Sequence, residues 1–144
     1  MLWYIKMEHL NEFVTTNWVM ILMWFFLLGM IINSFLKSSY DISPQQAVQL
    51  MSHEGGSLVL DVREDSEYQS GHIKDSIHIP MGALASRVEE LAKYKNKNVI
   101  LGCRSGSRSG RACSILKKHG FENVYNLNGG IAAWQKSSLP LSKK

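Results

Sequence analysis

The sequence predicts an α/β domain with a mostly parallel central sheet flanked by helices, preceded by one N-terminal transmembrane helix. Three observations predict it: short apolar runs that alternate with helical patterns, helix start and stop signals between them, and a long uncharged segment near the N-terminus. The chain has 144 residues, room for one ordinary domain. We divide it into a tail (1–12), a transmembrane helix (13–36), a linker (37–41) and a domain (42–144).

The uncharged segment is long enough to cross a bilayer. From Phe13 to Leu36, 24 consecutive residues include no Asp, Glu, Lys, Arg or His. At about 1.5 Å per residue, a helix of this length reaches roughly 36 Å, more than a hydrocarbon core of about 30 Å. A cleaved signal peptide is the alternative, but the preceding tail is long and carries two acidic residues, and Asn33–Lys37 has no A-x-A-like cleavage site. We expect a retained single-pass anchor.

Flanking charges favour one orientation of this anchor. The tail carries Lys6 against Glu8 and Glu12, whereas Lys37 and a domain with an excess of basic residues follow the apolar segment. Positively charged flanks stay preferentially in the cytoplasm. We therefore expect an inner-membrane protein whose C-terminal domain faces the cytoplasm.

Composition excludes several classes of function. The basic residues of the domain are scattered, as expected of a solvated face, so we expect no nucleic-acid partner. Two cysteines, Cys103 and Cys113, are too few for a disulfide-rich secreted scaffold. Neither the cysteines nor the histidines show the spacing of metal ligands, and we expect no metal and no cofactor.

The elements of the domain follow from local signals. Ser43 before Pro44 is typical of a helix N-cap followed by proline at the first helical position, and Gly120 predicts a helix end. Apolar, β-branched runs predict strands at Ser57–Val62, Ile77–Ile79, Asn98–Leu101 and Val124–Leu127. Helical spacing predicts helices from Pro44 to about Met51, Met81 to Tyr94, Arg108 to His119 and Gly130 to Lys136.

One strand-to-helix loop carries the candidate chemistry. Cys103 follows a predicted buried strand and precedes a predicted helix, at the sheet edge where α/β proteins bind ligands. Backbone N–H groups of such a loop, the helix dipole and nearby arginines stabilise a thiolate, which is the nucleophilic form of cysteine. A buried, inert Cys beside a basic surface loop is the alternative. The candidate anion-binding residues are Arg104, Ser105, Gly106, Ser107, Arg108 and Ser109.

Three segments, which follow one another in the expected order along the chain, resemble the rhodanese homology domain, of single-domain sulfurtransferase type. They are Leu58–Glu64 with Glu67-Tyr68, Gly71-His72-Ile73 and Ser76–Pro80; the Cys103 loop; and Leu127–Trp134. The resemblance covers roughly Ile42 to Leu141, almost the whole domain. It implies that Cys103 accepts a sulfane sulfur as a persulfide, cradled by loop amides, and passes it to a thiol or cyanide.

The spacing within the loop bears on the reaction. Relatives of this family that handle phosphate or arsenate separate the Cys and the Arg by five residues, whereas four residues separate Cys103 from Arg108. A smaller cradle suits a single sulfur atom, so we expect sulfur transfer and disfavour a phosphatase or arsenate reductase. Gly102 and Ser105 depart from the family pattern, which often has a larger residue before the Cys and, in thiosulfate-favouring enzymes, Lys two positions after it.

The remaining candidates receive structural interpretations. Asp61 and Arg63 match an Asp-x-Arg pattern of the family and are expected to support the loop, mainly by pairing at the strand ends. His72 is expected to be a hydrogen-bonded turn residue, and Cys113 a buried, inert thiol, with a resolving cysteine as the alternative.

The most favoured function is that of a membrane-anchored sulfurtransferase. A different class of function, a non-catalytic membrane-tethered interaction module that recruits an inner-membrane protein partner, is the alternative.

Overall fold

The computed structural model describes residues 2–35, 40–52 and 56–143, and the side chains of the first range only for residues 15–31. Residues Met1–Ser39 and Tyr40–Lys144 form two separate compact units. The first contains the long helix α1, Leu2–Phe35, which is interrupted at Asn17 by non-helical angles of φ −114° and ψ 15°.

The described part of the chain contains no helix with both the length and the apolar character that a membrane crossing requires. The predicted transmembrane helix is therefore not found among the described residues. Of the predicted segment 13–36, residue 36 lies outside the described residues, and residues 13, 14 and 32–35 lie outside those whose side chains are described.

The second unit confirms the predicted α/β fold. Its strands are β1 (Asp41–Ile42), β2 (Ser57–Asp61), β3 (Ile77–His78), β4 (Asn98–Gly102) and β5 (Asn123–Leu127). Its helices are α2 (Pro44–Ser52), α3 (Asp65–Gln69), α4 (Leu84–Arg87), a 3₁₀ helix (Val88–Tyr94), α5 (Ser107–Lys118) and α6 (Gly130–Lys136). The five strands pair in the order β1-β5-β4-β2-β3, and every pairing is parallel.

The structure differs from the local predictions at three places. The expected helix from Met81 to Tyr94 is instead the short α4 followed by the 3₁₀ helix. Asp41, assigned from sequence to the linker, belongs to β1, which was not predicted because two residues show no period. Helix α3 was also not predicted, since its N-cap is Glu64, outside the residue types that usually mark a helix start.

Side chains alternate between the two faces of the sheet and build a core on each. Leu60 and Leu101 face one core, completed by α4, the 3₁₀ helix and α5, whereas Val59 and Ile100 face the other, completed by α2 and α6. Because both faces are covered, the central strand β4 is buried from Val99 onward. Its carboxyl end delivers Cys103 to the edge of the sheet.

Candidate active site

Cys103 lies directly after β4, and the following loop folds over its sulfur. The residue is only 1% exposed. Gly106 has φ 95°, a left-handed conformation that suits glycine, and its N–H donates to Cys103 Sγ at 3.1 Å. A side chain at Gly106 would also approach Leu127 O and Gly129 N, at 3.2 Å each. The loop therefore depends on glycine here both for its conformation and for close packing.

The surroundings of Cys103 favour its thiolate form. Burial alone would raise the pKa of the thiol, but hydrogen bonds from the Ser109 hydroxyl and from the N–H groups of Ser109, Ser105 and Gly106 outweigh burial and lower it. The loop thus arranges several donors around a single sulfur atom, as a cradle for an anion does. Ser105, Gly106 and Ser109, which the sequence assigns to anion binding, all donate to this sulfur.

Ser109 connects the sulfur to two residues that the sequence did not single out. It is fully buried, with Oγ 3.3 Å from Cys103 Sγ and 2.6 Å from Asn126 Oδ1. Asn126 Nδ2 donates in turn to Asp41 Oδ1 at 2.7 Å. The pairing of β1 with β5, in which Asp41 and Asn126 are register partners, creates this connection.

Arg108 is engaged by an acidic residue. Its two terminal nitrogens donate to the two carboxylate oxygens of Glu67 on α3, at 2.7 and 2.9 Å. The hydrogen bond to Arg108 holds the pKa of Glu67 below its ordinary value, and Glu67 raises the pKa of Arg108. Arg108 also interacts electrostatically with Cys103. Sequence reasoning placed Arg108 in the cradle but missed Glu67, which neutralises part of its charge.

The other cradle candidates, Arg104, Ser105 and Ser107, are exposed. Arg104 lines a groove of about 420 Å³ beside the loop, a volume within the range of organic-ligand sites. The groove combines charged, polar and apolar side chains, among them Arg63, Glu67, Ser70, Ile131, Gln135 and Leu141. It gives an organic molecule a place next to the cysteine loop.

Asp61 and Arg63 form a buried ion pair, as predicted. Arg63 donates to Asp61 through Nε and through a terminal nitrogen, the latter at 2.7 Å, and the same nitrogen donates to Gly71 O at 2.7 Å. Asp61 is the register partner of Gly102, so the pair lies beside the end of β4. These contacts join the end of β2 to the turn at Gly71.

The start of α6 contacts the backbone of the cysteine loop directly. Ile131 N–H donates to Cys103 O at 2.8 Å, and Ala132 N–H donates to Arg104 O at 3.2 Å. A Cβ at Gly130, whose φ is 59°, would lie 2.2 Å from Cys103 O. The start of α6 therefore approaches the loop backbone so closely that only glycine fits.

The histidines of this region form structural contacts. The Tyr68 ring lies between those of His72 and His78, with centroids 3.9 and 4.2 Å away. His72 is buried, and its Nδ1 lies 3.1 Å from Tyr68 O. The described residues contain no group of three or more His, Cys, Asp or Glu side chains arranged for a metal ion.

Cys113 differs from Cys103 in its surroundings. It is fully buried in the core on α5, and burial together with the charge of Asp41 raises its pKa to about 12. Both cysteines are free thiols. The predicted burial of Cys113 is confirmed, and at neutral pH its thiol stays protonated.

Comparison with known proteins agrees with this architecture. The profile of the family described as Rhodanese-like domain matches residues 43–137. A sulfurtransferase of Allochromatium vinosum is 35% identical over 101 residues, covering 70% of this chain and 92% of that protein. The uncharacterized protein YibN of Escherichia coli K12 is 31% identical over 140 residues, 94% of this chain and 97% of its own, so the likeness extends into residues 1–39.

Solved structures share the fold. The rhodanese-related protein of Thermoplasma volcanium has a TM-score of 0.65 at 29% identity, covering 72% of this chain and 98% of that one. A thiosulfate sulfurtransferase of Pseudomonas aeruginosa has a TM-score of 0.63 at 28% identity, covering 72% of this chain and 20% of that one. The family match, these likenesses and the loop around Cys103 agree. The chain belongs to the rhodanese-like domain family.

Proposed function

We propose that the protein is a sulfurtransferase that carries sulfane sulfur as a persulfide on Cys103. The main support for this proposal is the set of hydrogen-bond donors around Cys103 Sγ, which lowers the pKa of the thiol despite burial. The relative of Allochromatium vinosum, a sulfurtransferase by name, supports the same activity. A nucleophilic thiol in a built cradle favours catalysis over a purely binding role.

The proposed sulfur transfer takes two steps, the loading of Cys103 and the delivery of its sulfur to an acceptor. With thiosulfate as donor, the Cys103 thiolate attacks the outer sulfur; an S–S bond forms to Cys103, and the bond to the sulfonate group breaks with its electron pair, releasing sulfite. In the second step an acceptor thiolate or cyanide attacks the terminal sulfur. The Cys103–sulfur bond then breaks, and its electron pair restores the Cys103 thiolate.

Preorganised donors explain how the loop promotes both steps. The N–H of Gly106 already points at the sulfur, so it stabilises the negative charge there without reorganisation, and the Ser109 hydroxyl lies within reach of the same sulfur. Arg104 and the groove beside it provide the approach for an anionic donor and for an organic acceptor thiol. The four-residue spacing between Cys103 and Arg108 favours sulfur over phosphate chemistry.

Thiocyanate formation from thiosulfate and cyanide tests this proposal. Wild type and Cys113→Ser are expected to form thiocyanate, whereas Cys103→Ser forms none above the uncatalysed rate. An active Cys103→Ser variant would overturn the proposed mechanism. Phosphate release from an aryl phosphate, dependent on Cys103, would replace sulfur transfer by phosphatase chemistry.

We also propose that residues 13–36 hold the domain at the inner membrane, with the domain in the cytoplasm. The uncharged run of 24 residues supports this, as do eleven large apolar side chains between Trp18 and Ile31 that are exposed in the structure. Such a surface needs an apolar covering, and a bilayer also accounts for the uncharged run.

Fractionation of cells expressing the full chain tests the location. The wild type is expected to resist carbonate extraction, whereas Met23→Lys with Phe26→Lys is expected to release the protein. A carbonate-soluble wild type would contradict the anchor. Alkaline phosphatase fused after Lys144 reports the side, and it is expected to be inactive because the enzyme requires the periplasm.

A further inference from the structure

A buried chain of hydrogen bonds runs away from Cys103 into the sheet. Ser109 Oγ lies 3.3 Å from Cys103 Sγ and 2.6 Å from Asn126 Oδ1, and Asn126 Nδ2 lies 2.7 Å from Asp41 Oδ1. Ser109 is 0% exposed and Asn126 is 5% exposed. Because water has little access to these groups, each must find its partner within the chain.

Asp41 determines how the Asn126 amide is oriented. An ionised carboxylate only accepts hydrogen bonds, so the amide must turn its NH₂ group toward Asp41. The amide oxygen then faces Ser109, and this oxygen also only accepts. The orientation of the amide follows from the network around it rather than from the amide itself.

Ser109 therefore faces two acceptors with a single proton. When Cys103 is a thiol or a persulfide, its Sγ needs no donor from Ser109, and the hydroxyl proton stays with Asn126 Oδ1 at 2.6 Å. When Cys103 is a thiolate, the charged sulfur competes for the same proton. Each time the hydroxyl turns to the sulfur, Asn126 Oδ1 loses its donor.

We propose that Asp41 and Asn126 are positioning residues that restrain the Ser109 hydroxyl, so that it turns to Cys103 only while the sulfur is a thiolate. This rests on the proposed function of Cys103 as the sulfur carrier. The Ser109 hydroxyl stabilises the thiolate before attack and again in the second step, when the thiolate leaves, and the competing acceptor Asn126 Oδ1 limits this stabilisation. While the persulfide is held, the hydroxyl donates to Asn126 Oδ1 instead.

Other charged and titratable groups around Cys103 must be separated from this effect. Arg108, paired with Glu67, interacts with Cys103, and Asp41 interacts with Cys113. A change at Asp41 therefore alters the field as well as the network. Only a comparison made with and without the Ser109 hydroxyl separates the two contributions.

The test is a double-mutant cycle on the pH dependence of Cys103 alkylation by iodoacetamide. In Asp41→Asn the amide of Asn126 is free to turn, its NH₂ donates to Ser109, and the hydroxyl proton is released to the sulfur. The alkylation midpoint is then expected to move to lower pH, with a rate about fivefold higher below the midpoint. Ser109→Ala alone is expected to move the midpoint to higher pH.

The decisive comparison is Asp41→Asn in the Ser109→Ala background. The proposal requires the Asp41→Asn effect to shrink by at least about half there, because the hydroxyl that transmits it is gone. An equal effect in both backgrounds would show a through-space charge effect and overturn the proposal. So would an unchanged midpoint in Asp41→Asn alone. Asp75→Asn, which removes an exposed carboxylate outside the network, is the matched control.

A second variant keeps the test decisive if Asp41→Asn fails to fold. Asn126→Leu removes the competing acceptor at similar volume, and the midpoint is again expected to fall; a rise would overturn the proposal. Alkylation needs no sulfur donor. A failure of this proposal therefore appears in the alkylation midpoints, and a failure of the proposed sulfur transfer appears in the absence of thiocyanate.

Discussion

The carboxylate of Glu67 accepts two hydrogen bonds from the guanidinium of Arg108, of 2.7 and 2.9 Å. This ion pair joins α3 to the first turn of α5, and the side chain of each partner is about a quarter exposed. An arginine that the sequence assigns to anion binding is thus partly neutralised in the resting structure. Arg104, in contrast, is exposed beside the groove. We therefore expect the attraction of an anionic sulfur donor to this loop to depend more on Arg104 than on Arg108.

Replacing Glu67 by Gln is expected to activate the thiol. Without the carboxylate, the positive charge of Arg108 acts on Cys103 unopposed, which lowers the pKa of Cys103 further. The rate of iodoacetamide alkylation below the midpoint is expected to rise roughly two- to fivefold. Glu90→Gln removes the partner of Arg87 on the surface and serves as the control, with an unchanged rate. A slower rate in Glu67→Gln would contradict this role of the pair.

The buried pair of Asp61 and Arg63 is expected to contribute strongly to stability. Asp61→Asn removes the charge that pairs directly with the Arg63 guanidinium, whose side chain is 6% exposed. The free energy of unfolding is expected to fall by about 3 kcal/mol, measured by urea denaturation. Arg87→Met breaks the exposed pair with Glu90 and is expected to leave it nearly unchanged. Equal effects of the two variants would show that burial does not decide how much an ion pair contributes to the free energy of unfolding.

A methyl group at Gly130 is expected to disturb the cysteine loop. It would meet Cys103 O at 2.2 Å and Arg104 O at 2.7 Å, both backbone atoms that cannot move without displacing the loop. Gly130→Ala is expected to cost on the order of 3 kcal/mol and to lower thiocyanate formation at least tenfold. Gly82→Ala, which meets nothing within 4 Å, is the matched control. An active, stable Gly130→Ala variant would show that the loop does not need this close approach.

The two cysteines are expected to react very differently with alkylating agents. Because the pKa of Cys103 is lowered, its reactive thiolate persists at pH values where an ordinary thiol is protonated, and its rate falls only as the pH drops through that lowered pKa. Cys113, with a pKa of about 12, stays protonated and buried. Mass spectrometry after iodoacetamide treatment at pH 7.5 should find one adduct, on Cys103. Both thiols are almost fully buried, so the expected difference in reactivity depends on their pKa values, and a second adduct on the folded protein would contradict the raised pKa of Cys113.

Much of the domain is predictable from local sequence signals. The apolar runs before Asp61 and Cys103 identify two central strands, and Pro44 and Gly120 mark helix ends within one or two residues of those observed. The alternation of strands and helices predicts the parallel sheet. Cys103 is identifiable because its position after a strand combines with the spacing to Arg108.

The partners of the loop are not predictable in this way. Glu67 and Asn126 lie 41 and 17 residues from the loop residues they contact, so only the fold brings them together. Asp41 belongs to a strand of two residues, too short to show a period. Glu64 caps α3 together with Glu67, but a glutamate is not a usual N-cap signal. Charge and pattern alone therefore identify the candidate nucleophile but not the groups that shift its pKa.

Intact-mass spectrometry of the purified full chain after incubation with thiosulfate tests the sulfur-carrier role of Cys103 most directly. Wild type and Cys113→Ser are expected to gain the mass of one sulfur atom, which cyanide then removes, while Cys103→Ser gains none. A folded wild-type protein that gains no sulfur from thiosulfate or from an organic persulfide, or a Cys103→Ser variant that gains one, would contradict the role proposed for Cys103.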